Sequence, residues 1–182
     1  MTLANKITIA RILLIPFFIA CLIYYTPDKE FLRYAAFIIF AVSMLSDAID
    51  GYIARKYYQK TKLGTIIDPI ADKLLIISAH ISLTMVGGIP LELRIPAWVC
   101  ILVITRDILI VLGALIIHMV IGNVEIKPNI LGKITTALQM FTIIVVLLQL
   151  KHSYFVWSLA AAFTVFSGIS YLVRANRILH ES

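Results

Sequence analysis

The chain has 182 residues, 61% of them hydrophobic and 14% charged, with a mean hydropathy of +0.97. Soluble domains carry about a quarter charged residues, so this chain has too little polar surface to cover itself in water. The formal net charge of +6 does not point to nucleic acid, because the Lys and Arg residues stand at the ends of apolar runs with no basic stripe among aromatics; snorkelling flanks and anionic lipid headgroups account for them.

Six segments of bilayer length follow along the chain, and they predict an all-α integral membrane bundle of six transmembrane helices forming one domain over residues 1–182. The first is Ile9–Tyr25. Lys6 ahead of an apolar run superficially resembles a signal peptide, but Asn5, Thr8 and Arg11 interrupt it and no small-residue cleavage site follows, so the segment is expected to remain as a helix. The lack of an Arg- and Ser-rich transit segment favours a bacterial membrane. Thr26-Pro27-Asp28 closes that segment, and Leu32–Asp50 is the second. Asp68–Gly87 is the third, closed by Gly87-Gly88-Ile89-Pro90, and Pro96–Ile117 the fourth. Gly122-Asn123 and Lys127-Pro128-Asn129 break the chain before the last two, Ile134–Leu150 and Phe155–Val173.

Lys6, Arg11, Arg55, Lys56, Lys60, Lys62, Lys127, Lys133, Arg174 and Arg177 fall on one side, and only Lys29, Arg33, Arg94 and Lys151 on the other. The positive-inside rule then puts both termini in the cytoplasm, in a multi-pass protein of the bacterial inner membrane. Cys21 and Cys100 lie in apolar runs outside any C-x-x-C pair and read as small core residues. His80 and His118 read as satisfied helix residues, and Tyr24, Tyr25, Trp98, Tyr154 and Trp157 as an interfacial belt.

The informative stretch is Asp47-Ala-Ile-Asp50-Gly51-Tyr-Ile-Ala54-Arg55, eight further residues, then Gly64-Thr-Ile-Ile-Asp68-Pro-Ile-Ala-Asp72. An aspartate near mid-membrane costs roughly 2.5–3.5 kcal/mol on insertion scales, so four together need compensation. Asp47 and Asp50 are three apart and Asp68 and Asp72 four apart, which puts each pair on one helical face. Two such helices facing each other bring four carboxylates into one volume, where hard divalent cations, Mg²⁺ or Mn²⁺, relieve the repulsion. Two bridged metals are the arrangement phosphoryl chemistry uses, and a diphosphate is their natural ligand. Gly51 and Ala54 clear one helical face, Gly64 does the same one turn before Asp68, and Arg55 can grip a phosphate from that side. Lys56, Lys60 and Lys62 read as an ordinary positive-inside loop.

The same residues resemble the D-x-x-D-G-x-x-A-R…G-x-x-x-D-x-x-x-D signature of the CDP-alcohol phosphotransferases, with no position missing. Asn5-Lys-Ile-Thr8-Ile-Ala-Arg11 with Pro16 is similar to the family's amino-terminal segment, which helps close over the nucleotide. Asp68-Pro69-Ile-Ala71-Asp72-Lys73, Ile95-Pro96-Ala97-Trp98 and Gly132-Lys133-Ile-Thr-Thr136-Ala-Leu-Gln139 resemble the phosphatidylglycerophosphate synthases within it. The resemblance implies a six-helix membrane fold, usually a homodimer, with two metals on Asp47, Asp50, Asp68 and Asp72, and Asp72 as the base. It implies a CDP-binding set of Asn5, Thr8, Asp50, Gly51, Ala54, Arg55 and Gly64.

On that basis the expected reaction moves the phosphatidyl group of CDP-diacylglycerol to glycerol 3-phosphate and releases CMP. An anionic acceptor needs cations, and Arg106 and Lys133 are the candidates, against a structural Arg106–Asp107 pair and a snorkelling Lys133. Lys73 either faces the same pocket or balances its acidic neighbours. Thr105-Arg106-Asp107 departs from the Arg-Glu more often found at this place in glycerophosphate enzymes. Arg-Asp, with Lys127-Pro128 before Lys133, also resembles CMP-forming cardiolipin synthases, whose acceptor is phosphatidylglycerol. A cation transporter would spread its acids through the depth of several helices, whereas these cluster on two, and a structural scaffold leaves them unexplained.

Overall fold

A computed structural model describes residues 3–56, 62–90, 93–121 and 130–180, with side chains for 8–46, 71–90, 93–113, 119 and 130–176. Among the described residues the chain forms six α-helices: α1 (Leu3–Ile23), α2 (Glu30–Lys56), α3 (Lys62–Met85), α4 (Ala97–Ile121), α5 (Ile130–Leu147) and α6 (Ser153–His180). Each expected apolar segment lies largely on one of these helices.

Buried positions in α1 recur at alternating steps of three and four, Thr8, Arg11, Ile15, Phe18 and Leu22, which is the period of one helical face. That face is polar at its start and apolar further on. Pro16 sits inside the helix and gives up one backbone hydrogen bond there. α1 packs against both α2 and α3; α3 also packs on α4 and α5; α6 packs on α4 and α5, and α2 on α5. Phe18 and Phe40 meet with ring centroids 6.0 Å apart, in a core that includes Leu75, Ile76, Leu83, Ile143 and Leu147. The outward faces stay apolar too: Phe17, Ile38, Ile81, Ile101, Phe141 and Phe166, one from each helix, are exposed.

The connections show which helix ends lie together. Tyr25, just past α1, receives a hydrogen bond from Gln149 Nε2 at 3.0 Å, just past α5. Its ring lies so close to Gly88, just past α3, that a Cβ there would fall 2.8 Å from a ring carbon, so only glycine fits. Arg33, near the start of α2, donates to the Leu147 carbonyl at the end of α5 at 2.8 Å, and Ser153 at the start of α6 donates to Leu93 O at 3.3 Å. One end of the bundle therefore gathers the ends of α1, α3 and α5 with the starts of α2, α4 and α6. At the opposite end lie the starts of α1, α3 and α5.

Details of this end differ from the sequence expectation. Tyr25 is a core residue rather than a member of an interfacial belt: it is buried, and its hydroxyl is taken by Gln149. Pro27–Lys29 is a 3₁₀ turn leading straight into α2. α5 stops at Leu147 because Gln149 turns to a φ of 52°, the left-handed geometry that ends helices. Arg94 donates to the Gly87 and Ile89 carbonyls at 3.2 and 3.0 Å, holding the turn after α3. The breaks expected at Gly122-Asn123 and Lys127-Pro128-Asn129 lie outside the described residues.

α5 and the Ser153–Asn176 stretch of α6 are long and apolar enough to cross a membrane, and Thr8–Ile23 is a shorter apolar helix. The interior of the bundle is not uniformly apolar. Thr135, Gln139 and Thr142 form a fully buried polar stripe on α5, and each threonine returns its hydroxyl to a carbonyl four residues back. Gln139 Nε2 donates to Thr164 on α6 at 3.3 Å. His80 is buried with Nδ1 3.0 Å from the Ile76 carbonyl, while Nε2 has no hydrogen-bond partner among the described residues, so only one ring nitrogen meets the expectation of a satisfied helix histidine. Cys100 is buried and Cys21 half-buried, both free thiols in the packed interior; the side chain of His118 lies outside the described residues.

Candidate active site

Asp47 and Asp50 stand in the second half of α2, and Asp68 and Asp72 in the first half of α3. By the topology above, these stretches belong to the end of the bundle opposite Tyr25, where α1 begins. α1 lies against both helices and contributes Thr8 and Arg11, both buried and both engaged in contacts. The aspartate-bearing stretches and the amino-terminal segment are thus brought to one end. The side chains of Asn5, Asp47, Asp50, Gly51, Ala54, Arg55, Gly64 and Asp68 lie outside the described residues.

Asp72 is half-buried and engaged in a contact. The next residue, Lys73, reaches across to α4, where its Nζ lies 2.7 Å from Asp107 Oδ2. Arg106 donates from NH1 to Asp107 Oδ1, also at 2.7 Å, and from NH2 to Ser167 Oγ on α6 at 2.6 Å. Around the guanidinium the neighbours are small: a Cβ on Gly132 of α5 would come within 3.2 Å of NH2, and one on Gly168 within 3.7 Å of Cγ. A planar guanidinium fits between three helices here because α5 and α6 present glycine and serine. Arg106 Nε is buried with no hydrogen-bond partner among the described residues.

The Arg106–Asp107 pair anticipated as a structural alternative is therefore formed. Of the two readings open for Lys73, the one that faces the same pocket as Arg106 is formed; the sequence did not reveal that Ser167 completes the cluster. The available signal was the coincidence of small residues, Gly132 and Ser167-Gly168, on two apolar helices. Lys133, near the start of α5, is exposed, one residue past the glycine that borders Arg106. Chemically the cluster combines a carboxylate engaged on both oxygens with two cations, one sealed in and one (Lys73) still 28% exposed. Such a group keeps its carboxylate fixed while leaving Lys73 open on one side.

A family model described as CDP-alcohol phosphatidyltransferase matches residues 1–167. Among curated relatives, a "Probable phosphatidylglycerophosphate synthase" of Mycobacterium tuberculosis is 36% identical over 181 residues, covering 96% of this chain and 82% of its own length. The "CDP-diacylglycerol--glycerol-3-phosphate 3-phosphatidyltransferase" of Rickettsia typhi is 33% identical over 178 residues, 93% of this chain and 94% of that protein. The protein of the same name from Bacillus subtilis is 35% identical over 156 residues, 81% of this chain and 77% of that protein. With similarity running from the amino-terminal segment through the aspartates and on to the Arg106 cluster, the chain belongs to the CDP-alcohol phosphatidyltransferase family.

Proposed function

We propose that this enzyme transfers the phosphatidyl group of CDP-diacylglycerol to glycerol 3-phosphate, giving phosphatidylglycerophosphate and CMP. The observation that carries the choice of a phosphate-bearing acceptor is the cationic cluster directly after Asp72, with Lys73 bound to Asp107 and Arg106 alongside. The names of the relatives support the same acceptor.

The donor set of Asp47, Asp50, Asp68 and Asp72 is all oxygen and lies on two helices that share α1 as a neighbour, which fits two Mg²⁺ or Mn²⁺ ions. When bound, the ions neutralise the diphosphate and the charge that develops on it. Arg55, with Gly51, Ala54 and Gly64 leaving room, binds the nucleotide side of CDP-diacylglycerol, and Asn5 and Thr8 on α1 close over it. The sn-1 hydroxyl oxygen of glycerol 3-phosphate attacks the phosphorus that bears diacylglycerol. Its proton passes to the Asp72 carboxylate, and the bond from that phosphorus to the bridging oxygen breaks, so CMP departs with the electron pair. Arg106 and Lys133 serve the acceptor phosphate.

The setting is a six-span bundle in the bacterial inner membrane, both termini cytoplasmic. The exposed apolar faces of all six helices and the position of Arg33 and Arg94 at the end away from the aspartates support it. Family resemblance adds a homodimer. The test is CMP release by purified protein given CDP-diacylglycerol and either glycerol 3-phosphate or phosphatidylglycerol. Release that requires glycerol 3-phosphate, stops with EDTA and returns with Mg²⁺ or Mn²⁺ is the expected result. A response to phosphatidylglycerol alone would replace the acceptor, as the Arg106-Asp107 sequence allows.

A further inference from the structure

Asp107 is the hub of the cluster that Lys73, the residue after Asp72, joins from α3. Its side chain is 2% exposed, and each oxygen is committed to a different cation on a different helix: Oδ1 to Arg106 on α4, Oδ2 to Lys73 on α3. A carboxylate shared in this way fixes the separation of an ammonium and a guanidinium that would otherwise repel. Both cations keep donors in reserve. Lysine has three N–H groups and arginine five; among the described residues Lys73 makes one hydrogen bond and Arg106 two. The Arg106 Nε–H is buried without a partner among the described residues, a rare condition in a native interior. Gly132 and Ser167 leave the guanidinium little freedom to turn.

We infer that Asp107 is a positioning residue for the acceptor: it holds Lys73 and Arg106 at a set spacing so that the acceptor phosphate is received by both, next to Asp72. The inference rests on the proposed transfer to a phosphate-bearing alcohol. Lys73 supplies the open side of the receiving site and Arg106 the closed side. Because both Asp107 oxygens are committed to these two cations, its removal acts on acceptor binding and leaves the CDP-diacylglycerol side alone.

The experiment measures kcat and both KM values for Asp107→Asn, Lys73→Met and the double variant in the full-length protein in detergent. Wild-type protein is first given glycerol 3-phosphate and phosphatidylglycerol separately. Its preference tests the proposed reaction; both acceptors carry a phosphate, so the variants are then compared on whichever one is used. Loss of a charge-assisted contact predicts an acceptor KM raised about tenfold or more in Asp107→Asn, with the KM for CDP-diacylglycerol within about twofold. In the double variant the second substitution adds less than it does alone, because the residues act as one unit. Should Asp107→Asn not fold, Asp107→Glu keeps the charge, moves the carboxylate by one methylene and shows the same split with a smaller shift. An equal rise in both KM values, an unchanged or lowered acceptor KM, or full additivity of the pair overturns the inference. Wild-type protein that uses neither acceptor overturns it together with the proposed reaction.

Discussion

Replacing Arg106 separates its structural load from its part in catalysis. The guanidinium makes two charge-assisted bonds, to Asp107 at 2.7 Å and to Ser167 at 2.6 Å, each worth about 1.5–3 kcal/mol. Arg106→Met removes both and leaves the buried Asp107 with Lys73 alone, and breaking a buried ion pair by deleting one partner costs about 3–5 kcal/mol. Arg106→Lys keeps the charge, but a single ammonium cannot span both partners, so one bond is lost, about 1.5–3 kcal/mol. Denaturant unfolding in micelles measures the difference, with tryptophan fluorescence as the probe. Trp98 on α4 and Trp157 on α6 form an edge-to-face pair with centroids 5.8 Å apart, so they report the α4–α6 docking that Arg106 and Ser167 secure. The expected order of stability is wild type, then Lys, then Met. A Met variant within about 0.5 kcal/mol of wild type, the range of neutral surface changes, would refute the load assigned to this side chain. An Arg106→Lys enzyme with unaltered acceptor KM would confine Arg106 to the structural pair.

Asp72→Asn keeps the shape of the side chain and removes the proton acceptor, so turnover should fall by about 10²–10⁴-fold while the fluorescence unfolding curve stays cooperative; near-normal CMP release would take Asp72 out of the base role. Arg33→Met, at the other end of the bundle, loses the bond to the Leu147 carbonyl and the stacking over Tyr34 at 4.7 Å, a destabilisation of about 2 kcal/mol. Its exposed partner Glu30, at 3.6 Å, adds little. Both KM values should be unchanged in this variant, since Arg33 lies about 21 Å along α2 from Asp47 at roughly 1.5 Å per residue.

Much of the architecture was legible because it is local. Apolar runs of bilayer length marked the helices, and turn residues such as Gly87-Gly88 marked their breaks. Helix ends were less legible where a distant residue decides them. α5 was expected to run to Leu150, but Arg33, 114 positions away, occupies the Leu147 carbonyl, and Gln149 turns out to reach Tyr25. Tyr25 sits at a segment end, where an aromatic usually marks the interface, yet its burial depends on Gly88, which no local pattern connects to it.

By itself, the order of residues determined an apolar all-helical chain, the spacing that puts each aspartate pair within one helical turn, and membership of the family. These follow from composition and from a period of 3.6, which act over a few neighbouring residues. Only the packed structure decided that Lys73 shares the carboxylate next to Arg106 and that Ser167 completes the cluster, since these pairs are 34 and 61 positions apart. Such contacts depend on how far each helix is rotated and how deep it sits against its neighbours, and those quantities are set by the fit of whole faces.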